Sequence, residues 1–142
     1  VAILVDTGIV VALADLSDPY HPSVATFVRS TREPLLIPVT VLPEVDYLLT
    51  KDLGGAAALG ALRSVAAGEF QLQEFSSADL TRCVDLMVQY ADSNIGLVDA
   101  SIMAIAERLR ITRILTLDER HFRMIRPRHC VAFELLPPPT PA

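Results

Sequence analysis

Apolar residues enter this chain in two alternating patterns, and the alternation confines it to one class of fold. Ala2-Ile-Leu-Val5, Leu35-Leu-Ile37 and Ile114 to Thr116 read as short buried strands. A strand covered on both faces has no polar side to show, so its apolar run is unbroken. Between these runs the apolar positions recur at helical spacing: Val24, Phe27 and Val28; Val41, Val45, Leu48 and Leu49; Leu59, Leu62 and Val65; Leu80, Val84, Met87 and Val88. Parallel strands need crossover helices on the sheet faces, so this order predicts a three-layer α/β/α domain with a mainly parallel central sheet. At 142 residues the chain can bury one core without disulfides. We expect a single domain over residues 1–136 and a Pro-rich C-terminal tail over 137–142, where Pro137-Pro-Pro-Thr-Pro141 cannot join a ladder.

In more detail, Gly8 is expected to permit a turn into a short helix over Ile9 to Asp15. Further helices are predicted over about 22–31, over the stripe that carries Glu44 with Pro43 in its first turn, over 56–67 after a Gly54-Gly55 break, over 77–90 and over 97–110. Ser76 with Asp79 three positions on is the signature of an N-terminal capping box. Phe70 to Phe75 alternates as a half-exposed strand does, and Val131 to Phe133 is expected as an edge strand. A short helical turn should follow from about Asp118 to Phe122.

Four carboxylates lie at the ends or borders of these apolar segments: Asp6 after the first run, Glu44 in Val41-Leu-Pro-Glu-Val45, Asp99 after Leu97-Val98, and Asp118 after Ile114-Leu-Thr-Leu117. Solvated surface carboxylates rarely keep such apolar company. In parallel α/β sheets ligands gather at the carboxyl ends of the strands, where Asp6 and Asp118 fall. Drawn into one pocket, the four would repel unless protonated or neutralised by a divalent cation with oxygen ligands. Taken singly, each has a plainer reading: Asp6 as a turn residue, Glu44 as a solvated helical acid, Asp99 as a first-turn acid, Asp118 as a cap.

The net charge of −5 counts against a nucleic-acid partner, but the charge is unevenly placed. Residues 1–99 carry 5 basic and 13 acidic groups, whereas residues 100–142 carry 7 arginines against 4 acids. An acidic site beside a basic flank can hold phosphates on the flank while metal neutralises the site; the plainer reading is a set of solvated charges. With 51% hydrophobic and only 20% charged residues, some apolar surface is expected to be covered by a second copy or another protein. No apolar stretch is long enough to span a bilayer and the N-terminus lacks signal-peptide regions, so a cytoplasmic protein is expected. Cys83 and Cys130 are expected to be free thiols. Beginning at Val1 rather than Met, the chain is expected to lack one or more N-terminal residues.

Leu4-Val-Asp6-Thr-Gly8, Pro43-Glu44-Val-Asp-Tyr-Leu48, Gly96-Leu-Val-Asp99-Ala-Ser-Ile102 and Leu115-Thr-Leu-Asp118-Glu-Arg-His-Phe122, in this order, resemble the motifs of PIN-domain nucleases. More narrowly, they resemble the VapC-type toxins of toxin-antitoxin pairs, nearly end to end. The resemblance implies a PIN fold, Mg²⁺ or Mn²⁺ dependence and endonucleolytic cleavage of RNA. It makes Asp6, Glu44, Asp99 and Asp118 the acidic quartet, with Thr7, Thr116 and Asp92 in support. On this reading Asp6, Asp99 and Asp118 bind the cation, Glu44 orients a water or a second ion, and products carry 5′ phosphate and 3′ hydroxyl ends. A cognate antitoxin covering the cleft and the groove of the early helices, and a homodimer, are implied as well. From the arginine cluster, Arg120 and Arg123 are candidates for holding RNA phosphates. His21, His121 and His129 lack zinc-ligand spacing, and His121 is expected to be a surface or substrate-side residue.

Two rivals stand against this. Asp6-Thr7-Gly8 also spells the aspartic-protease tripeptide, but those enzymes are all-β and here the tripeptide leads into a helical pattern. The other is a PIN-like domain that binds RNA or serves as a scaffold without cleaving, which the complete quartet disfavours.

Overall fold

In the computed structural model, which describes residues 1–137, the apolar runs form buried strands. β1 (Ile3–Val5) has all three side chains fully buried, and β2 (Leu35–Pro38) and β4 (Arg113–Leu115) flank it. β3 (Gln71–Gln73) and β5 (Glu134–Leu136) form the edges. The order is β3-β2-β1-β4-β5 with every pairing parallel among the described residues. Because β2 and β4 lie on opposite sides of β1, the sheet changes winding direction between β1 and β4, and a crevice opens at their carboxyl ends. The register Val5↔Leu115 brings the next residues, Asp6 and Thr116, to the same level of that crevice.

Seven helices connect the strands among the described residues: α1 (Thr7–Ala14), α2 (His21–Ser30), α3 (Leu42–Leu53), α4 (Gly55–Ala66), α5 (Ser77–Gln89), α6 (Leu97–Leu109) and α7 (Glu119–Met124). Helices α1 to α4 pack on one another, and α5 and α7 pack on α6. The expected three-layer α/β arrangement with a parallel sheet is thus the observed one. Helix α6 is the spine of its layer, with every residue from Ala100 to Ala106 buried. The capping box forms as expected: Asp79 N–H donates to Ser76 Oγ at 3.1 Å, and Ser76 N–H to Asp79 Oδ2 at 3.0 Å. Leu4 is fully buried in the central strand, so Leu4→Ala is expected to lower stability by about 2–5 kcal/mol in urea unfolding.

Several local expectations are corrected. The first helix starts at Thr7, not Ile9: Asp6 caps it, and Gly8 is already helical rather than forming a turn. Only Gly54, at φ +98°, breaks the chain between α3 and α4, and Gly55 is already helical. The strand expected over Phe70 to Phe75 shortens to three residues with Leu72 half exposed, because β3 lies at the sheet edge and Phe70 is buried just before it. The last strand is Glu134–Leu136 rather than Val131 to Phe133. Phe133 inserts into the core, edge-on to Phe122 with ring centroids 6.4 Å apart, and pairing begins one residue later. Arg113 secures that pairing through ion pairs to Glu134 and Glu33. Cys83 and Cys130 are free, and burial pushes the Cys83 thiol up to about 11. Among the described residues no helix is long and apolar enough to cross a membrane. Residues 138–142, most of the expected tail, lie outside the described residues.

Candidate metal centre

Asp6 leaves β1 in extended conformation (φ −87°, ψ 162°) and turns directly into α1. Its Oδ1 accepts the Thr7 N–H at 2.8 Å and its Oδ2 accepts the Thr116 hydroxyl at 2.7 Å. Only 6% of the residue is exposed. Burial, opposed by the Thr116 hydroxyl and reinforced by the charges of Asp99 and Glu44, pushes this carboxyl up to about 6. Thr116, itself buried, also accepts the Asp118 N–H at 3.0 Å, so one hydroxyl ties two of the acids together. The Thr7 hydroxyl is buried without a partner, a donor open to a water or a ligand.

Asp99 is the third residue of α6, where the helix dipole stabilises an anion. Its carboxyl is raised above the ordinary range, by burial first, against a lowering hydrogen bond from His121. Asp118 caps α7 without a side-chain hydrogen bond to the helix, so its exposed carboxylate is not consumed by capping. Glu44, in the first turn of α3, is exposed, and its charge acts on both Asp6 and Asp99. The structure therefore gathers all four acids around the crevice. The tightest grouping is Asp99, Asp118 and His121, which each offer one ligand atom within 4.8 Å of the others.

Of the two places expected for His121, free surface or substrate side, the first does not hold: the imidazole lies beside the acids. Its Nδ1 lies 2.6 Å from Asp99 Oδ2, with both side chains largely buried. The available signal was its position three residues after Asp118 on a predicted helical turn, beside the buried Phe122. Ser101 was also not anticipated. It is fully buried, donates to the Val98 carbonyl at 2.6 Å, and meets the Thr40 hydroxyl at 2.5 Å. That contact ties the first turn of α6 to the turn preceding α3, and so sets Asp99 relative to Glu44. Asp92 sits exposed in a single 3-10 turn, Ala91–Ser93, and makes no hydrogen bond to the other acids among the described residues.

No Lys or Arg pairs with Asp6, Glu44, Asp99 or Asp118 among the described residues. Clustered carboxylates without a cationic partner, beside one imidazole, are a donor set that fits a divalent cation. The arginines divide by role. Arg108 and Arg113 are held in ion pairs with Asp79, Glu33 and Glu134, whereas Arg120 is exposed on α7 close to Asp118. Arg123 is exposed and pairs with Glu119 one helical turn away. If α7 guides phosphates, Arg120→Ala with Arg123→Ala should weaken RNA binding and flatten its salt dependence by about one to two units of slope, read by fluorescence anisotropy across a salt series. An unchanged slope would make both arginines plain surface charges.

An apolar groove of about 470 Å³ opens elsewhere, lined by Val10, Leu13, Val28, Ala61 and Phe70 from α1, α2, α4 and the start of β3. Together with exposed Leu80, Val84 and Val88 on α5, it accounts for the low charge fraction of the sequence.

A profile described as the PIN domain matches residues 3–126. The chain is 33% identical over 134 residues to Ribonuclease VapC26 of Mycobacterium tuberculosis, covering 94% of this chain and 99% of that protein. Its fold is similar to the crystal structure of Mycobacterium tuberculosis VapC20, a sarcin-ricin loop cleaving toxin, with TM-score 0.79 at 20% identity over 83% of this chain and 91% of that one. It is similar also to VapBC2 of Rickettsia felis bound to a DNA fragment from its promoter, with TM-score 0.70 at 16% identity over 96% of this chain and 100% of that one. The strand order, the acids at the crevice and these likenesses converge: the chain belongs to the PIN-domain family, among its VapC-type members.

Proposed function

We propose that this protein is a divalent-metal-dependent endoribonuclease and acts as the toxin of a toxin-antitoxin pair in the cytoplasm. The observation that carries the reading is the convergence of Asp6, Glu44, Asp99 and Asp118 on one crevice with no Lys or Arg paired to them among the described residues. The ribonuclease name of its 33%-identical relative supports the same chemistry.

Asp6, Asp99 and Asp118 would hold Mg²⁺ or Mn²⁺, which when bound stabilises charge on the phosphate and makes an attacking water more acidic. The residues of the chain set the geometry around it. Thr116 holds Asp6 and the Asp118 backbone at fixed positions, and the Ser101–Thr40 contact holds the α6 terminus against the α3 entrance. Glu44, exposed at the rim, would orient the attacking water and accept its proton. Attack on phosphorus with departure of the 3′ oxygen leaves 5′ phosphate and 3′ hydroxyl ends. Thr7 and Asp92 are the remaining supporting residues of this proposal, Thr7 through its unpartnered hydroxyl.

The apolar groove beside α1, α2 and α4 is where an antitoxin segment would bind, and a homodimer completes the assembly. Similar folds have been solved as toxin-antitoxin complexes, among them one from Klebsiella pneumoniae. The test is incubation of purified protein with total cellular RNA in Mg²⁺, in Mn²⁺ and in EDTA, with new ends mapped by sequencing. Discrete cuts that EDTA abolishes support the proposal. Metal bound in calorimetry without cleavage of any RNA would favour the non-catalytic, RNA-binding reading.

A further inference from the structure

Beyond the acidic quartet, and resting on the metal-site reading above, we propose that His121 Nδ1 is a direct ligand of the bound cation, so that the site selects first-row transition ions such as Mn²⁺ over Mg²⁺. The Asp99–Asp118–His121 grouping is built from two separate parts of the fold, the first turn of α6 and the β4–α7 junction. Its three ligand atoms lie within 4.8 Å of one another. With bonds of about 2.1 Å, donors sharing one ion stand about 3 to 4 Å apart, so modest side-chain rotation closes the set.

The imidazole is aimed by the fold. Phe122, 1% exposed, is locked edge-on to Phe133, and Ile125 is buried at the other end of α7. These contacts set which face of α7 turns to the core, and His121 faces Asp99. Nδ1 points at the carboxylate oxygen that would share the ion, 2.6 Å away. Nε2 has no protein partner among the described residues, so it can carry the ring proton while the Nδ1 lone pair binds metal. The other two imidazoles are engaged elsewhere, His21 on the Ala12 carbonyl and His129 on the Ile111 carbonyl.

A nitrogen donor changes ion preference for a plain reason. Mg²⁺ takes oxygen ligands and gives up its waters reluctantly, whereas imidazole suits first-row transition ions. His121 thus separates this centre from one made of carboxylates alone.

The experiment is pulsed electron paramagnetic resonance on the protein loaded with Mn²⁺ alone, comparing wild type with His121→Ala and His121→Asn, beside calorimetry of Mn²⁺ and Mg²⁺ binding. Wild type should show ¹⁴N modulation from a directly bonded imidazole. Both variants should lose it while still binding Mn²⁺, with the Mn²⁺-to-Mg²⁺ affinity ratio falling about tenfold or more. Mn²⁺ bound to wild type without imidazole coupling would overturn the inference and leave the carboxylate site standing, with His121 only orienting Asp99. Absence of any Mn²⁺ binding by folded wild type would overturn the metal-site reading and this inference together. Circular dichroism on both variants excludes unfolding as the cause of a lost signal, and the near-isosteric Asn variant serves if the Ala variant fails to fold.

Discussion

Asp99→Asn is expected to reduce RNA cleavage on the order of a thousandfold, measured under single turnover with saturating Mg²⁺ or Mn²⁺, while the fold survives. Asn occupies the same volume and, in the metal-free protein, its amide oxygen can accept from a protonated His121 Nδ1, so the contact between α6 and α7 is retained. What disappears is one negative charge at the head of α6, in a partly buried position where a charge is felt more strongly than in water. Asp99 also groups with Asp118 and His121, each offering one ligand atom within 4.8 Å of the others. A wild-type rate in the variant, with its Tm unchanged, would remove Asp99 from the machinery and overturn the assignment of the acidic crevice as the cleavage site. Loss of cleavage together with loss of Mn²⁺ binding would locate the defect in metal capture rather than in a later step.

Asp6→Asn is expected to raise the stability of the metal-free protein at pH 7 by about 3 kcal/mol, a shift of roughly 6–12 °C in Tm. The Asp6 carboxyl lies at about 6 in the folded state, above its ordinary 3.8, with burial the largest cause. The folded chain therefore holds this proton more tightly than the unfolded chain does. The Asp6 contribution to stability is at its best at and below about pH 4, declines as pH climbs toward 6, and stays fully unfavourable above that. Asn has no such dependence, keeps the Thr7 cap through its oxygen, and offers its amide to the Thr116 hydroxyl. Urea unfolding in EDTA from pH 4 to 8 should show wild type falling across that window relative to the variant. Added divalent cation should then recover wild type and leave the variant nearly unmoved. A variant less stable than wild type at pH 7 without metal would show that the hydrogen bonds of Asp6 outweigh the burial of its charge.

The elements most legible in the sequence were those with local causes. The unbroken apolar runs and the helical stripes gave the layered parallel architecture, and Ser76 with Asp79 gave the start of α5. Asp6 and Asp118 were visible as site candidates because Asp6 directly follows an apolar strand and Asp118 closes an apolar segment just past one. Where the reading slipped, a tertiary contact had overruled a local pattern. Val131 to Phe133 looked like a strand, but Phe133 is drawn into the core against Phe122, and the ladder forms after it. Phe70 to Phe75 alternated as a strand should, yet an edge position with one neighbour supports only three residues of pairing.

By itself, the sequence determined that strands and helices alternate, where the apolar faces lie, and that carboxylates stand at the strand and helix ends. Those properties depend on neighbours a few positions apart, which is the range over which backbone geometry and side-chain periodicity act. Only the tertiary structure decided which ends meet. Asp6 and Thr116 are 110 positions apart, and their hydrogen bond exists because β4 pairs with β1 rather than with another strand. His121 reaches Asp99 across 22 positions because Phe122 anchors α7 against the core. Strand order and helix docking follow from how all the apolar faces are buried at once, and no single segment carries that information.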